Sequence, residues 1–377
     1  MFAFDEELQA VTDNLEAATV NDATQAQLPS ASGHHHIQRY LQNDSNPPSN
    51  YNSDTDEPMP RKRGKSINYE VPLSNNFVSS KAHVKKVGPE DFEHVCVLGR
   101  GAFGKVFLVK HRASRSLYAM KVLKKASLVV QARQTEQVKA ERQILEEVRH
   151  PFIVKLYYAF QTPRELHMIL EYAVGGELFR HLDHEGMFDE SMASFYAAEL
   201  VLALEHLHGL GIVYRDLKPE NCLLDAQGHV VLTDFGLSKV AVNGKTNTIC
   251  GTAEYMAPEI LMGLDYDNTV DWWSLGILLY DMLTGSPPFS SGNRQKTIDA
   301  VLHKKIMMPY YMTAEAKDLL SKLLRKNPNA RLGAKPKRAD AIRRHRFFRK
   351  IDWAALVRRE VEPPLVPVVI DPEAAEV

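Results

Sequence analysis

The chain has few cysteines, no long hydrophobic run and almost no net charge, and each of these absences excludes a class of protein. Its three cysteines lie far apart in 377 residues, which excludes a disulfide framework and a cysteine-ligated metal site. The most apolar stretch, 275–283, is much shorter than the roughly 20 residues that a membrane-spanning helix needs. No signal peptide is visible, because acidic residues begin at Asp5. We therefore expect a cytoplasmic protein without a membrane segment.

The net charge of −1 conceals an uneven distribution along the chain. Residues 1–60 hold ten acidic residues and one basic residue, Arg39, so this segment carries −9 and the rest of the chain +8. Apart from a run at 61–65, the basic residues of the rest are scattered, which is not the footprint of a nucleic-acid-binding protein. We expect no nucleic-acid partner. The run at 61–65 fits a solvated linker or a nuclear-import signal, so nuclear localisation stays open as an alternative.

Composition divides the chain into a polar head and a two-part body. Residues 1–80 are rich in Asn, Ser, Asp, Gln and Pro with little periodic hydrophobicity, which predicts a disordered region. Short β-like runs around one polar helix fill 92–172, and helical patterns dominate 174–348, where Asp189 and Thr313 can act as N-caps. The predicted elements are strands at 92–98, 106–110, 117–123, 154–160 and 166–172 and helices at 135–148, 190–208 and 272–283. A small antiparallel sheet lobe followed by a larger helical lobe is an α+β fold with a cleft between the lobes.

Three glycines at 99, 101 and 104 form the pattern G-x-G-x-x-G-x-V with Val106. Glycine lets the backbone approach phosphate oxygens and donate N–H groups to them, although a plain glycine turn has the same composition. Dinucleotide-binding oxidoreductases share this spacing, but they need parallel βαβ units, whereas these glycines join two strands of a hairpin. Lys121 in the third strand can hold the α- and β-phosphates, and Glu141 on the following helix can fix the lysine.

The most specific motif is Y-R-D-L-K-P-E-N at 214–221, which is followed by D-F-G beginning at Asp234. Phosphoryl transfer needs metal ions, cations and an oriented hydroxyl more than it needs covalent catalysis. Asp216 can orient the substrate hydroxyl or accept its proton, and Lys218 can neutralise the moving phosphoryl group. Asn221 and Asp234 offer the oxygen ligands that Mg²⁺ prefers. Together with the glycine loop, this order of motifs predicts a phosphotransferase that uses ATP and Mg²⁺.

On these residues the chain resembles the eukaryotic protein kinases over about residues 92–348. The K-P-E-N form of the loop is similar to the serine/threonine branch, and Tyr214 in place of histidine is typical of the AGC group. Within that group, the stretches A-M-K-V-L-K-K-A at 119–126 and D-W-W-S-L-G at 271–276 most resemble the ribosomal protein S6 kinases. The resemblance implies a two-lobed kinase that transfers the γ-phosphate of ATP to Ser or Thr of other proteins.

The resemblance also implies which residues bind ATP and which carry the reaction. The ATP-binding residues come from the glycine loop, the lysine strand, the linker between the lobes and the floor of the cleft. They are Leu98, Gly99, Arg100, Gly101, Ala102, Phe103, Gly104, Lys105, Val106, Ala119, Lys121, Glu141, Leu170, Glu171, Ala173, Glu177 and Leu223. The catalytic residues are Asp216, Lys218, Asn221 and Thr252, and the Mg²⁺ ligands are Asn221 and Asp234.

Further positions match structural residues of the family. Arg331 is expected to anchor Glu259, which closes the A-P-E motif, and Asp271 is expected to support the catalytic loop from the apolar helix. A hydrophobic spine that joins the lobes is expected from four residues, each of which could equally be ordinary core. They are Leu145, Leu156, Tyr214 and Phe235.

Regulation and substrate choice are implied by other matches. Thr248 matches the activation-loop position that an upstream kinase phosphorylates, and its phosphate could pair with Arg215 and Lys239. Three acidic positions match those that bind arginines upstream of the target residue, so protein substrates with Arg or Lys before Ser or Thr are expected. They are Glu177, Glu220 and Asp281.

The two ends of the chain raise separate expectations. The sequence F-D-E-E-L at 4–8 is similar to the TOR-signalling motif of S6 kinases, which implies contact with a TOR complex and a role in nutrient and growth signalling. No phenylalanine follows Phe348, so residues 349–377 match only the start of the family's C-terminal tail, and Gln137 replaces a histidine of many relatives. We expect a monomer that is either truncated or completed by a partner in trans. The competing hypothesis is a pseudokinase scaffold, against which the intact catalytic residues argue.

Overall fold

The structure is a computed structural model that describes residues 87–101, 104–129, 132–240, 246–248, 250–335 and 338–368. The predictions for the head at 1–80, for the motif at 4–8 and for Ala102 and Phe103 lie outside these residues. Within them, a small sheet lobe precedes a larger helical lobe, so the expected two-lobed α+β fold is confirmed.

The small lobe is a five-stranded antiparallel sheet with its strands in the order β1-β2-β3-β5-β4. The strands are β1 (Phe92–Gly101), β2 (Gly104–His111), β3 (Leu117–Lys124), β4 (Leu156–Gln161) and β5 (Glu165–Leu170). Successive side chains of a strand point to opposite faces. Met120 of β3 and Ile169 of β5 therefore pack with Phe92 on one face, whereas Leu123 and Met168 form a cluster on the other.

Two helices follow β3, namely α1 (Lys125–Val129) and α2 (Ala132–Glu147). The polar helix predicted at 135–148 is thus present and begins three residues earlier. Val138 of α2 packs against the Leu123 and Met168 side of the sheet, and Ile144 and Leu145 join the core of the large lobe. The helix therefore touches both lobes, and one of its buried residues is Glu141.

The large lobe consists of helices and short strand pairs. Its helices are α3 (Leu178–Glu185), α4 (Glu190–Gly209), α5 (Pro258–Leu261), α6 (Thr269–Thr284), α7 (Arg294–His303), α8 (Ala314–Leu323), α9 (Arg338–Arg343) and α10 (Trp353–Val357). Its strands are β6 (Gly176–Glu177), β7 (Ile212–Val213), β8 (Cys222–Leu224), β9 (Val230–Leu232) and β10 (Lys239–Val240). The side chain of Asp189 accepts from Met192 N and that of Thr313 from Ala316 N, so both predicted N-caps form.

Helix α6 forms the centre of the large lobe, because every residue from Thr269 to Leu283 is buried. This explains why the helix is apolar nearly all round. No helix within the described ranges is both long and apolar enough to cross a membrane.

A buried ion pair ties the first turn of α5 to the C-terminal part of the lobe. Arg331 Nη1 and Nη2 donate to Glu259 Oε1 and Oε2 at 2.5 and 2.8 Å, and both side chains are almost completely buried. The guanidinium also donates to the carbonyl of Thr269 and lies over the ring of Trp273. The expected anchoring of Glu259 by Arg331 is present.

Two contacts join the lobes behind the cleft. The backbone of the segment before β4 bonds to β9, with Val154 N donating to Leu232 O at 3.0 Å and Leu232 N donating to Phe152 O at 2.9 Å. The predicted spine residues share one core cluster: Leu145, Tyr214 and Phe235 are buried, and Leu156 packs against them half-buried. The rings of Tyr214 and Phe235 meet edge to face at 5.2 Å.

Candidate active site

The roof of the cleft is the hairpin of β1 and β2 with the neighbouring strand β3. Val106 of β2 pairs with Lys121 of β3, and Ala119 pairs with Leu170 of β5, so these predicted residues share one surface. A side chain on Gly104 would collide with the carbonyl oxygen of Val122. This glycine is therefore required by the packing of β2 on β3, in addition to any contact with phosphate.

A lysine and two carboxylates meet at the back of the cleft. Lys121 Nζ donates to Glu141 Oε1 at 2.6 Å and to Asp234 Oδ1 at 3.3 Å. Burial alone would lower the pKa of Lys121, but the charges of Glu141 and Asp234 outweigh it and raise the pKa, so the lysine stays protonated. The predicted pairing of Lys121 with Glu141 is present, and it places a fixed cation opposite the glycine loop.

Asp234 lies at the start of the D-F-G motif in a left-handed backbone conformation with φ of 53°. A non-glycine residue adopts this conformation only where its surroundings hold it, and here the side chain accepts from Gly236 N at 3.2 Å. The charge of Lys121 lowers the pKa of Asp234 against the opposing effect of burial, so the carboxylate is ionised. Its side chain is half-exposed and free to bind a further cation.

The catalytic loop brings three predicted residues together around one carboxylate. Lys218 Nζ lies 3.0 Å from Asp216 Oδ2, and Asn221 Nδ2 donates to the same oxygen at 3.0 Å and to the Asp216 carbonyl at 2.8 Å. Burial raises the pKa of Asp216, and the Lys218 charge and these hydrogen bonds oppose the shift. A buried carboxylate held in one orientation can position a hydroxyl group and accept its proton.

The donor set of the cleft fits Mg²⁺. Asn221 bonds to Asp216 through its amide nitrogen, so these hydrogen bonds do not involve its amide oxygen. The Asp234 carboxylate is ionised and half-exposed. Mg²⁺ in nucleotide sites commonly takes one or two protein oxygens together with phosphate oxygens and water. Asn221 and Asp234 could therefore hold the metal, as the sequence predicts.

Helix α6 supports the catalytic loop through Asp271, as expected. Tyr214 N donates to Asp271 Oδ2 at 3.0 Å and Arg215 N to Oδ1 at 2.8 Å, and His208 Nε2 lies 2.7 Å from Oδ2. Arg215 has a φ of 69°, so this buried carboxylate holds a strained residue directly before Asp216.

The floor and the linker between the lobes complete the nucleotide side of the cleft. Glu177 of β6 pairs with Leu223 of β8, which places the predicted floor residue next to the first predicted acidic residue. Ala173 is buried, and Glu171 N donates to Lys155 O at 2.9 Å, so the linker is fixed to the start of β4.

The activation segment is connected to the catalytic loop through a tyrosine. Tyr266 donates its hydroxyl to Thr248 O at 2.6 Å and accepts from Arg215 Nη1 at 3.2 Å. Arg215 Nε also donates to Leu237 O. Within the described residues, the hydroxyl of Thr252 makes no hydrogen bond to Asp216 or Lys218. A Cβ on the neighbouring Gly251 would lie 3.3 Å from Arg215 O.

The three predicted substrate-binding acids differ in their surroundings. Asp281 is buried and accepts from the Tyr255 hydroxyl at 2.7 Å. Burial, with smaller contributions from neighbouring negative charges, raises its pKa to about 6. Glu177 lies 3.8 Å from Arg180 Nη2, and Glu220 is exposed. Strand β6, which carries Glu177, contacts the turn Pro219–Asn221 that carries Glu220, and the charge of Glu220 acts on Asp281, so the three acids lie near the catalytic loop.

Sequence reasoning missed the residues that hold these groups from a distance. His208, Tyr255 and Tyr266 lie in separate elements, and each contacts its partner over 18 to 63 residues of chain. Only Tyr255 carried a signal, as a polar side chain two residues before the A-P-E motif.

Comparison with known proteins gives the family. Residues 92–348 match the protein kinase domain. The chain is 53% identical over 293 residues to ribosomal protein S6 kinase beta of Caenorhabditis elegans, covering 76% of this chain and 53% of that protein. It is 50% identical over 327 residues to human ribosomal protein S6 kinase alpha-3 (84% and 44%) and 51% identical over 298 residues to human alpha-1 (78% and 40%). The chain thus spans about half, or less, of the length of these relatives. The resemblance to S6 kinases is confirmed, and the chain belongs to the protein kinase domain family.

Proposed function

We propose that the chain is a serine/threonine protein kinase of the ribosomal protein S6 kinase type, acting on proteins with basic residues before the target Ser or Thr. The observation that carries the proposal is the pair of ionic groups in one cleft. Asp216, Lys218 and Asn221 form one group, and Lys121 with its two carboxylates forms the other. ATP and Mg²⁺ are the nucleotide and metal that kinases of this type use.

The nucleotide would lie between the roof strands and Leu223. Lys121, held by Glu141, would bind the α- and β-phosphates, and the backbone of the glycine loop would cover them. When bound at Asn221 and Asp234, Mg²⁺ would neutralise charge on the phosphate oxygens.

The substrate hydroxyl would be positioned by Asp216. Its carboxylate would accept the proton as the hydroxyl oxygen bonds to the γ-phosphorus and the bond between the γ-phosphorus and the bridging oxygen of ADP breaks. The raised pKa of Asp216 makes it a better proton acceptor than an exposed aspartate, and Lys218 would stabilise the charge of the transferred group.

Two features of the proposed regulation rest on resemblance. An upstream kinase would phosphorylate Thr248, whose carbonyl already connects to Arg215 through Tyr266. The new phosphate would carry about two negative charges near that guanidinium and would order the segment. Contact with a TOR complex through residues 4–8 is the second such feature. A cytoplasmic location is proposed separately, from the composition of the chain.

The test is transfer of labelled phosphate from Mg-ATP to a serine peptide with upstream arginines, with a matched tyrosine peptide as the specificity control. Asp216→Asn should lower kcat by about 10² to 10⁴-fold, since it removes the proton acceptor and keeps the side-chain size. Asp265→Asn, an exposed site on the same lobe, is the matched control and should change little. If the chain phosphorylated at Thr248 transfers no phosphate to the serine peptide, the proposed function is wrong.

A further inference from the structure

Helix α3 lies beside the acidic side of the cleft, and its C-terminal end is in contact with the end of α6. Phe188 N donates to Met282 O at 2.8 Å. A side chain on Gly285, which follows α6, would collide with the carbonyl oxygen of Gly186, which follows α3. The two helix ends are therefore fixed against each other through their backbones.

This contact places an aspartate of α3 beside Asp281. Asp183 precedes Gly186 by three residues, and Asp281 precedes Gly285 by four, with Gly285 N donating to Asp281 O at 2.7 Å. Each aspartate thus lies about one helical turn before the point where the helices touch. The turn Pro219–Asn221, which carries Glu220, also contacts α3.

The charges of two neighbouring carboxylates act on Asp281. Besides burial, the charges of Asp183 and Glu220 contribute to the raised pKa of Asp281. Asp183 and Glu220 are exposed, whereas Asp281 is buried and aligned by Tyr255. Carboxylates that repel one another at the edge of a cleft gain most from a cation that lies between them, and a planar guanidinium can donate to two carboxylates at once.

The acidic residues of the cleft differ in whether a basic side chain of the same chain lies next to them. Arg180, one turn before Asp183 on α3, lies 3.8 Å from Glu177 and reduces the negative potential there. Asp183 makes no ion pair or side-chain hydrogen bond to any residue within the described part of the chain.

We propose that Asp183 is a specificity-determining residue that completes, with Asp281 and Glu220, a subsite for an arginine of the protein substrate. This inference rests on the proposed function and adds a residue and a ranking to it. The subsite that contains Asp183 selects for arginine more strongly than the subsite at Glu177, which Arg180 screens.

The test compares Asp183→Asn with Glu185→Gln, which removes the same charge from the exposed end of the same helix. Peptides carry one arginine at successive positions before serine, with neutral citrulline at the others. At one arginine position, Asp183→Asn should lower the ratio of kcat/KM for the arginine peptide to kcat/KM for the citrulline peptide by about threefold to tenfold. The change should appear in KM and leave kcat unchanged, because the arginine binds the subsite equally strongly in the ground state and in the transition state. Arg180→Ala should raise the ratio at a different position.

Binding separates this inference from the proposed function. Labelled peptides with alanine in place of the target serine report affinity without phosphate transfer. Weaker binding of the arginine peptide by Asp183→Asn than by Glu185→Gln supports the subsite. This conclusion holds even if no phosphate transfer is detected, because a lack of transfer counts only against the proposed kinase function. Equal affinity of the two variants, or no difference between arginine and citrulline peptides in the unmutated chain, overturns the inference.

Discussion

Replacing Glu141 with glutamine is expected to impair the kinase reaction strongly without unfolding the small lobe. Glu141 is 2% exposed, and its carboxylate accepts from Lys121 at 2.6 Å. Glutamine keeps the shape and an oxygen acceptor but removes the charge. The lysine would then be held mainly by Asp234, which lies farther away at 3.3 Å.

The magnitude follows from the strength of the lost interaction. A hydrogen bond between charged groups contributes about 1.5 to 3 kcal/mol, which corresponds to about 10- to 150-fold in rate. Because Asp234 still holds the lysine, and the amide oxygen still accepts, the loss should lie near the lower end. We expect kcat/KM for ATP to fall about 10- to 30-fold.

The assay is initial-rate phosphate transfer at varied Mg-ATP and saturating peptide. Glu136→Gln is the matched control, because it makes the same change at an exposed site of the same helix. Thermal unfolding of both variants checks that the lobe is folded. If Glu141→Gln keeps kcat/KM within about twofold of Glu136→Gln while both are folded, the ion pair does not position Lys121 and the reasoning is refuted.

Two further predictions follow from buried charges in the large lobe. Arg331→Met should destabilise the fold by about 3 to 5 kcal/mol, because it leaves Glu259 buried and unpaired. The double variant with Glu259→Gln should melt at a higher temperature than Arg331→Met, and equal melting temperatures would contradict the pairing. Since the pKa of Asp281 is raised to about 6, its charge is present above that pH and lost below it, so the preference for arginine peptides over citrulline peptides should decline as pH falls through about 6. Asp281→Asn should give a low preference that does not change with pH.

The catalytic loop could be predicted from the sequence because its residues are close along the chain. Asp216, Lys218 and Asn221 lie within six positions, so one loop brings them together whatever the rest of the fold does. The five strands of the small lobe and the helices α2, α4, α6 and α8 were also predictable, since their alternating and helical patterns reflect burial on one face. Their ends differ by a few residues, as for α2, where the polar first turn carries no periodic signal. The short helix α3 and the short strands β6 to β10 were not predicted.

The supporting contacts could not be predicted in the same way. Asp271 was expected from resemblance, but its partner His208 lies 63 residues earlier on another helix. Asp183 and Arg180 are exposed polar residues on a short helix, and only the packing of its end against α6 shows which side of the cleft they face. The sequence explained Gly104 by phosphate contact, whereas its collision with Val122 O is a property of the folded sheet.

The bonds of Phe152 and Val154 to β9 have a mechanical consequence for α2. They attach residues 152–154, which follow the C-terminal end of this 16-residue helix, to the large lobe. The C-terminal end of α2 is therefore the fixed point about which the helix can rotate, and its N-terminal end can move furthest. Glu141 lies six residues from the fixed point, about 9 Å at 1.5 Å per residue, so a swing of about 10° would displace it by about 1.6 Å. That displacement is enough to break the 2.6 Å contact with Lys121. Any molecule that pushes or holds the N-terminal end of α2 would therefore switch the lysine between a fixed and a released state through a very small rotation.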